Sequence, residues 1–209
     1  MLGGGGHAKV VIGALKRSGY DILGYTDAQD RGSILSVPYL GTDAGLAGLL
    51  RSHPRCGAVI GIGKIDASPR RMTVQSEVEA LGFEFPAIVS RHAVINEDVR
   101  LGAGTVVMDG VVVNSGTEVG NACILNTSSS VDHDCRIGHN VHIAPGATLS
   151  GDVIIGDNCM IGTGSSIIQG LTVCADCLVG AGATVTTDLT EPGTYVGTPA
   201  RRLVRSTNP

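Results

Sequence analysis

Residues 125–161 read LNTSSS VDHDCR IGHNVH IAPGAT LSGDVI IGDNCM I, and split this way every hexapeptide opens on an aliphatic residue. The same step runs without an insertion from Val89 through Ile95, Leu101, Val107, Val113 and Val119, and beyond Ile161 through Ile167, Val173 and Val179 to Val185. Four residues after each opener there is in most cases a small or β-branched side chain, among them Thr105, Cys123, Ser129, Cys135, Ala147, Cys159, Ser165, Cys177 and Ala183. A short fixed period of this kind is the mark of a β-solenoid. Each hexapeptide supplies a strand and a corner, three make a triangular coil, and neighbouring coils stack their side chains. One large aliphatic residue per face fills a narrow prism, and a second inward position takes only something small. The absence of Trp and the presence of only two Phe fit such an interior.

Working outward from the repeat, composition narrows the function. With 15 basic and 19 acidic residues and no basic run, the chain offers no nucleic-acid surface. No apolar stretch reaches the roughly 20 residues of a membrane helix, and the first residues do not read as a secretion signal, so a cytoplasmic protein is expected. Of the six cysteines, Cys123, Cys135, Cys159 and Cys177 fall on the small inward position, where a thiol acts as a compact hydrophobe. Cys174 falls in a corner, so the Cys174-x-x-Cys177 pair is read as structural. No metal site is expected.

Ahead of the repeat, Gly3-x-Gly5-x-x-Ala8 opens a helix that reaches about Ser18. A strand at 22–26 then ends at Asp27. Glycines followed by an acid about 20 residues on let backbone approach phosphate and offer a carboxylate to a ribose. A helical stretch at 43–51, a buried strand at 58–62 and a helix at about 68–81 complete one βαβαβ unit, half of a dinucleotide fold and suited to one nucleoside diphosphate. The strand before the glycine loop is only two residues long, against about five usually; either the start lies further upstream or the first strand is truncated. The fold class expected is an α/β half-Rossmann (βαβαβ) domain at 1–85, a parallel β-helix at 86–190, and a turn with a short basic tail at 191–209.

The repeat itself resembles that of the hexapeptide-repeat acyltransferases, which implies a left-handed coil, an exception to the usual right-handed crossover. Four segments sharpen the resemblance: Gly5-Gly6-His7-Ala8, Asn126-Thr127-Ser128, Val131-Asp132-His133-Asp134-Cys135, and Val196-Gly197-Thr198-Pro199-Ala200-Arg201. Together they look like the bacterial nucleotide-aminosugar N-acetyltransferases, related to the sialic acid O-acetyltransferases, over essentially the whole chain. The resemblance implies that His133 is a general base and that Asp134 supports it. It also places His142 and Asn126, with backbone at Thr163 and Ala181, beside acetyl-CoA, and it places the nucleotide sugar among Gly5, Gly6, His7, Asp27, Gly63 and Lys64. It implies a homotrimer with acetyl-CoA in the grooves between prisms.

The chemistry asks for little more. An amine attacking a thioester must lose a proton, and an imidazole with an ordinary pKa near ~6.5 takes it near neutral pH. The residues alone leave open whether Asp132 or Asp134 holds His133; position in the family pattern favours Asp134. His139 matches no family position and reads as a surface residue. The activity expected is acetyl transfer to the 4-amino group of a UDP- or GDP-linked 4-amino-4,6-dideoxyhexose, for glycan or O-antigen synthesis. The alternatives are O-acetylation of a sugar hydroxyl, a zinc hydratase built on His133, His139 and His142, and a nucleotide-sugar scaffold without catalysis. Because His133 and His142 stand half an 18-residue coil apart, they are expected on different sides of one prism.

Overall fold

A computed structural model describes residues 1–204; residues 205–209, the end of the expected basic tail, lie outside the described residues. The repeat folds as a prism of three parallel sheets. The first holds Ile88–Val89, Val106–Val107, Ile124–Leu125, His142–Ile143, Met160–Ile161 and Cys177–Val179. The second holds Val94–Ile95, Val112–Val113, Ser130–Val131, Thr148–Leu149, Ser166–Ile167 and Thr184–Val185. The third runs from Arg100–Leu101 to Thr172–Val173. Through most of the prism each residue pairs with the one 18 positions on, as His142 does with both Ile124 and Met160.

The hexapeptide openers from Val107 to Val185 are at most 4% exposed. Burying each contributes about 1.5–3 kcal/mol relative to exposure. Val89, Ile95 and Leu101, in the first coil, are only partly buried. The small inward position does more than save space. The Thr105 hydroxyl donates to Gly120 O at 2.7 Å and accepts from Cys123 N at 3.1 Å. The Cys123 thiol repeats the arrangement one coil on, donating to Gly138 O at 3.1 Å and accepting from Val141 N at 3.4 Å. Thr and Cys recur here because each is small and can serve a corner carbonyl that the sheets leave unpaired.

After the first corner, each corner carries one residue in the left-handed region, six apart from Asp98 (φ 59°) through Gly104, Gly110, Gly116, Ala122, Ser128 and Asp134 to Gly182. Gly, Asn and Asp hold most of these positions because they tolerate φ > 0 best. The corner side chain of Cys174 lies close to the inward one of Cys177: their Sγ atoms are 3.5 Å apart, both as free thiols. The tight turn with Asp176 at φ 59° folds the corner side chain back over the inward one.

The repeat ends at Val185 but the pairing does not. Gly193–Val196, expected to be turn, adds a parallel strand to Cys177–Val179, and Arg201–Arg202 closes it antiparallel. Buried Leu189 and Tyr195 cover the end of the prism, and the two arginines make the last edge a poor template for further pairing.

The N-terminal part contains α1 (Gly6–Arg17), a 3-10 turn (Asp43–Gly45) leading into α2 (Leu46–Ser52), and α3 (Arg70–Glu79). α3 starts two residues later than expected because Pro69 occupies its N-cap. The strands expected at 22–26 and 58–62 are extended but joined by single ladder contacts: Leu2 lies parallel between Thr26 and Ile60, and Tyr25 beside Tyr39. Leu2 is the middle of this sheet.

This part packs on the first sheet of the prism. The buried face of α3 is Arg71, Gln75 and Val78. The Arg71 guanidinium donates to Ile62 O and to Ala122 O, the latter at 3.2 Å, and the Gln75 amide donates to Ala103 O at 3.3 Å. Asn140 returns the contact by donating to Ser68 O at 2.9 Å.

Candidate active site

His133 and Asp134 form the corner between the second and third sheets. His133 Nδ1 is 2.8 Å from Asp134 Oδ2. Asp132 is committed elsewhere: its Oδ1 accepts from Asn114 Nδ2 and from His133 N–H, both at 2.8 Å, at the end of a column in which Asn96 also bonds Asn114. The choice left open by sequence is therefore settled by geometry, and Asp134 is the partner of the ring. With Nδ1–H donating to the carboxylate, the Nε2 lone pair is left free, and the side chain is 62% exposed. The Asp134 hydrogen bond raises the His133 pKa above its ordinary value, helped by the charges of Asp132, Asp134 and Asp152 and opposed by burial.

Two glycines that the sequence reading passed over make room for this pair. A Cβ on Gly151, one coil beyond His133, would stand 2.5 Å from His133 Nε2 and 2.6 Å from Cε1, and a Cβ on Gly116, one coil before Asp134, would stand 2.6 Å from Asp134 Oδ1. Only bare backbone lets the ring and the carboxylate lie where they do.

Asn126, Thr163 and Ala181 share a different corner, between the first and second sheets, where Thr163 O accepts from Gly182 N at 2.9 Å. Thr163 and Ala181 are exposed. His142 lies on the outer side of the first sheet, so His133 and His142 do stand on different sides of the prism. His142 is 7% exposed beneath the N-terminal part. Its Nδ1 donates to Lys64 O at 2.7 Å and its Nε2 accepts from Asn126 Nδ2 at 3.0 Å. Burial pushes its pKa down to about 4, so the ring is neutral. Lys64 is buried too, and its ammonium donates to Ser68 O at 3.2 Å.

His7 sits in the first turn of α1 close to Gly63, where a Cβ would come within 3.3 Å of His7 Cβ. Burial, with Arg71 and His142 nearby, pushes its pKa down to about 3, and its Nε2 meets no protein partner. Gly5 and Gly6 open α1, whose N-terminus has no side-chain cap and no acid in its first turn, leaving its N–H groups for an anion. Asp27 holds this loop: its Oδ2 accepts from Gly4 N–H at 2.7 Å, which with Gln29 N–H and Arg31 keeps its pKa low. A cavity of about 490 Å³ opens beside the loop between Gly4, Gly5, Gly6, Lys9, Arg31 and Ser33. Lys9 and Arg31 are the cations that sequence reasoning missed; their signal was a Lys on the first turn of a helix without acids, and an Arg four residues after Asp27.

His139 is exposed, and its Nδ1 accepts from Asn121 N–H at 2.9 Å. Among the described residues no three His, Cys, Asp or Glu side chains gather as metal ligands would, and no helix is long and apolar enough to cross a membrane.

Comparison with known proteins places this geometry. The family model described as PglD N-terminal domain matches residues 1–76. Bacterial transferase hexapeptide (six repeats) matches 116–151, and hexapeptide repeat of succinyl-transferase matches 152–187. No curated protein sequence matches the chain. Among solved structures, PerB from Caulobacter crescentus, in complex with CoA and GDP-perosamine, is 36% identical with a TM-score of 0.90 over 97% of this chain and 95% of that one. The acetyltransferase domain of PglB from Neisseria gonorrhoeae, with acetyl coenzyme A, is 33% identical with a TM-score of 0.86 over 97% of each chain. WeeI from Acinetobacter baumannii is 28% identical with a TM-score of 0.85 over 97% of each chain. The chain belongs to the hexapeptide-repeat N-acetyltransferases that join a PglD-type half-Rossmann domain to a left-handed parallel β-helix.

Proposed function

We propose that the protein moves the acetyl group of acetyl-CoA to the amino group of a nucleotide-linked aminosugar, a 4-amino-4,6-dideoxyhexose carried on UDP or GDP, in the cytoplasm and for glycan synthesis. The observation that carries this reading is the His133–Asp134 pair, 2.8 Å apart with Nε2 free. As the amine nitrogen bonds the thioester carbonyl carbon, His133 Nε2 takes the amine proton, and Asp134 steadies the imidazolium that results. Collapse of the tetrahedral intermediate breaks the C–S bond, and the imidazolium returns the proton to the departing thiolate. The open N-terminus of α1, with Lys9 and Arg31 beside it, suits a diphosphate. The solved relative bound to GDP-perosamine supports that acceptor class.

Asn126, Thr163 and Ala181 are assigned to the coenzyme, and the acting unit to a homotrimer. The base corner and the coenzyme corner flank the second sheet, whose outer face is Val94, Val112, Ser130, Thr148, Ser166 and Thr184. An uncharged face of small side chains suits close packing against a second prism, and a groove so formed would set the base corner of one subunit against the coenzyme corner of the next. Thiol release measured with UDP- and GDP-linked 4-amino-4,6-dideoxyhexoses, against free sialic acid, tests the acceptor. Turnover with a sugar hydroxyl alone would overturn it. For the shared site, subunits carrying His133→Ala are mixed with subunits carrying Ala181→Trp. Partial return of activity is expected in mixed trimers, and an active monomer or no recovery would refute sharing.

A further inference from the structure

A column of polar side chains climbs the corner between the second and third sheets and ends at the base. Asn96, Asn114 and Asp132 each follow an aliphatic opener, in three successive coils. Asn96 Nδ2 donates to Asn114 Oδ1 at 2.8 Å, and Asn114 Nδ2 donates to Asp132 Oδ1 at 2.8 Å. The same Asp132 oxygen accepts the backbone N–H of His133, also at 2.8 Å. In the next two coils the position passes to Ser150 and Ile168, so the amides stop below the base. An ionised carboxylate only accepts, which fixes the direction in which both amides point. Bonds aligned head to tail polarise one another. The Asn114 amide first, and the His133 N–H second, hold the Asp132 carboxyl below its ordinary pKa.

The base needs such support. Its ring is 62% exposed, and its one side-chain partner, Asp134, is 66% exposed. A catalytic group has to be held within about 0.5 Å of its working place, and one exposed contact leaves a side chain much of its freedom. Asp132, Asp134 and Asp152 are the charges that act on His133. Of these three, only Asp132 accepts a side-chain hydrogen bond from another coil among the described residues.

We infer that Asn114 and Asp132 are positioning residues for acetyl transfer, the column fixing the backbone of His133 and keeping one oriented negative charge beside its ring. This role rests on His133 being the base. A second column serves as its internal control. At the corner between the third and first sheets, Asn140 Nδ2 donates to Asn158 Oδ1 at 3.1 Å, and Asn158 Nδ2 donates to Asp176 Oδ1 at 3.2 Å. The make-up is the same, but Cys177 follows the last carboxylate where the first column has a histidine.

Thiol-release kinetics across pH, with NMR titration of the His133 ring in the free enzyme, test the role. Asn114→Ala should lower plateau kcat on the order of 10-fold with KM for acetyl-CoA held, as the base loses its fixed place. Asp132→Asn keeps an acceptor for both donors and removes the charge. Without that charge the imidazolium is less favoured, so the acidic limb and the ring titration should both move to lower pH, by at least about 0.3 unit. Asn158→Ala should lower Tm and leave kcat and the limb in place. His133→Ala is the reference. If it is inactive while Asn114→Ala and Asp132→Asn keep the wild-type kcat and ring titration, the base stands and the positioning role is refuted. If His133→Ala turns over like wild type, the base falls and the positioning role falls with it. Equal kcat losses in Asn158→Ala and Asn114→Ala would reduce both columns to general stability and would also overturn the inference.

Discussion

Two corners of the prism, six residues apart, carry the same backbone and do different things. His133-Asp134 and His139-Asn140 each place a histidine just before a residue in the left-handed region, with φ of 59° and 53°. In the first, Nδ1 faces the Asp134 carboxylate and Nε2 is free. In the second, Nδ1 accepts from Asn121 N–H, so the ring serves the stacking of coils. One coil further on, His133 meets bare Gly151, while His139 N–H donates to Asp157 Oδ1 at 2.7 Å. A histidine in a corner is therefore not a base by position. The proposed base differs from His139 in the carboxylate that follows it and in the space that the next coil leaves above it.

The largest expected effect separates the two rings. His133→Ala should lower kcat by about 10²–10⁴ with little change in CoA affinity, the loss expected when a general base is removed. His139→Ala should leave turnover within about twofold, because water replaces an exposed acceptor. Thiol-release kinetics on both variants check the contrast, and equal losses would erase it.

Next comes the space above the ring. Gly151→Ala puts a methyl group 2.5 Å from the present position of Nε2, and kcat should fall roughly 10-fold or more as the base is displaced. KM for acetyl-CoA should hold, and a Gly138→Ala control should affect stability instead, since its Cβ would meet backbone of the next coil.

The carboxylate should show itself in pH dependence. His133 must be neutral to accept a proton, so kcat/KM falls as pH drops through its raised pKa. Asp134→Asn removes the main cause of that rise. The acidic limb should move to lower pH while plateau kcat drops several-fold, roughly up to 10-fold. A limb that stays in place would mean another group controls it.

The smallest effect is a transplant. Asn140→Asp gives His139 a following carboxylate, yet in a His133→Ala background it should restore no activity, because its ring remains bound to the coil below. It should also cost roughly 1–3 kcal/mol of stability or more, read by denaturant titration, since the buried Asn140 amide that donates to Ser68 O and to Asn158 Oδ1 is replaced by a group that only accepts.

The prism was legible from its period because one aliphatic residue per six has nowhere to go but inside. The left-handed corners are legible too, in Asp98, Asn140, Asp152, Asn158 and Asp176 and the glycines between them, residue types that tolerate φ > 0. Glycines directly after an aliphatic opener have another cause: Gly102, Gly120 and Gly138 lie against backbone of the next coil, where a Cβ would clash. His133 and Asp134 could be picked out by residue type, whereas Gly116 and Gly151 could not, because their contacts lie 18 residues away and a glycine in a turn has a local explanation already. Arg71 was out of reach for a related reason. A helix face of Arg71, Gln75 and Val78 reads as solvated until the carbonyls of Ile62 and Ala122 are seen beside it.

The unbroken 18-residue coil turns sequence position into an address, with the remainder after division by 18 naming the face and the quotient naming the height. Inserting one whole coil between Gly151 and Thr163 would leave every column intact and raise Thr163 by one strand spacing, about 4.8 Å, away from the level of His133. Inserting six residues there would keep the corners regular but send Thr163 and Ala181 to a different edge of the prism. Length changes in this chain are therefore quantised: multiples of eighteen rescale the distance between the His133 corner and the Thr163 corner, other multiples of six reassign them to different edges, and any number that is not a multiple of six breaks the stack.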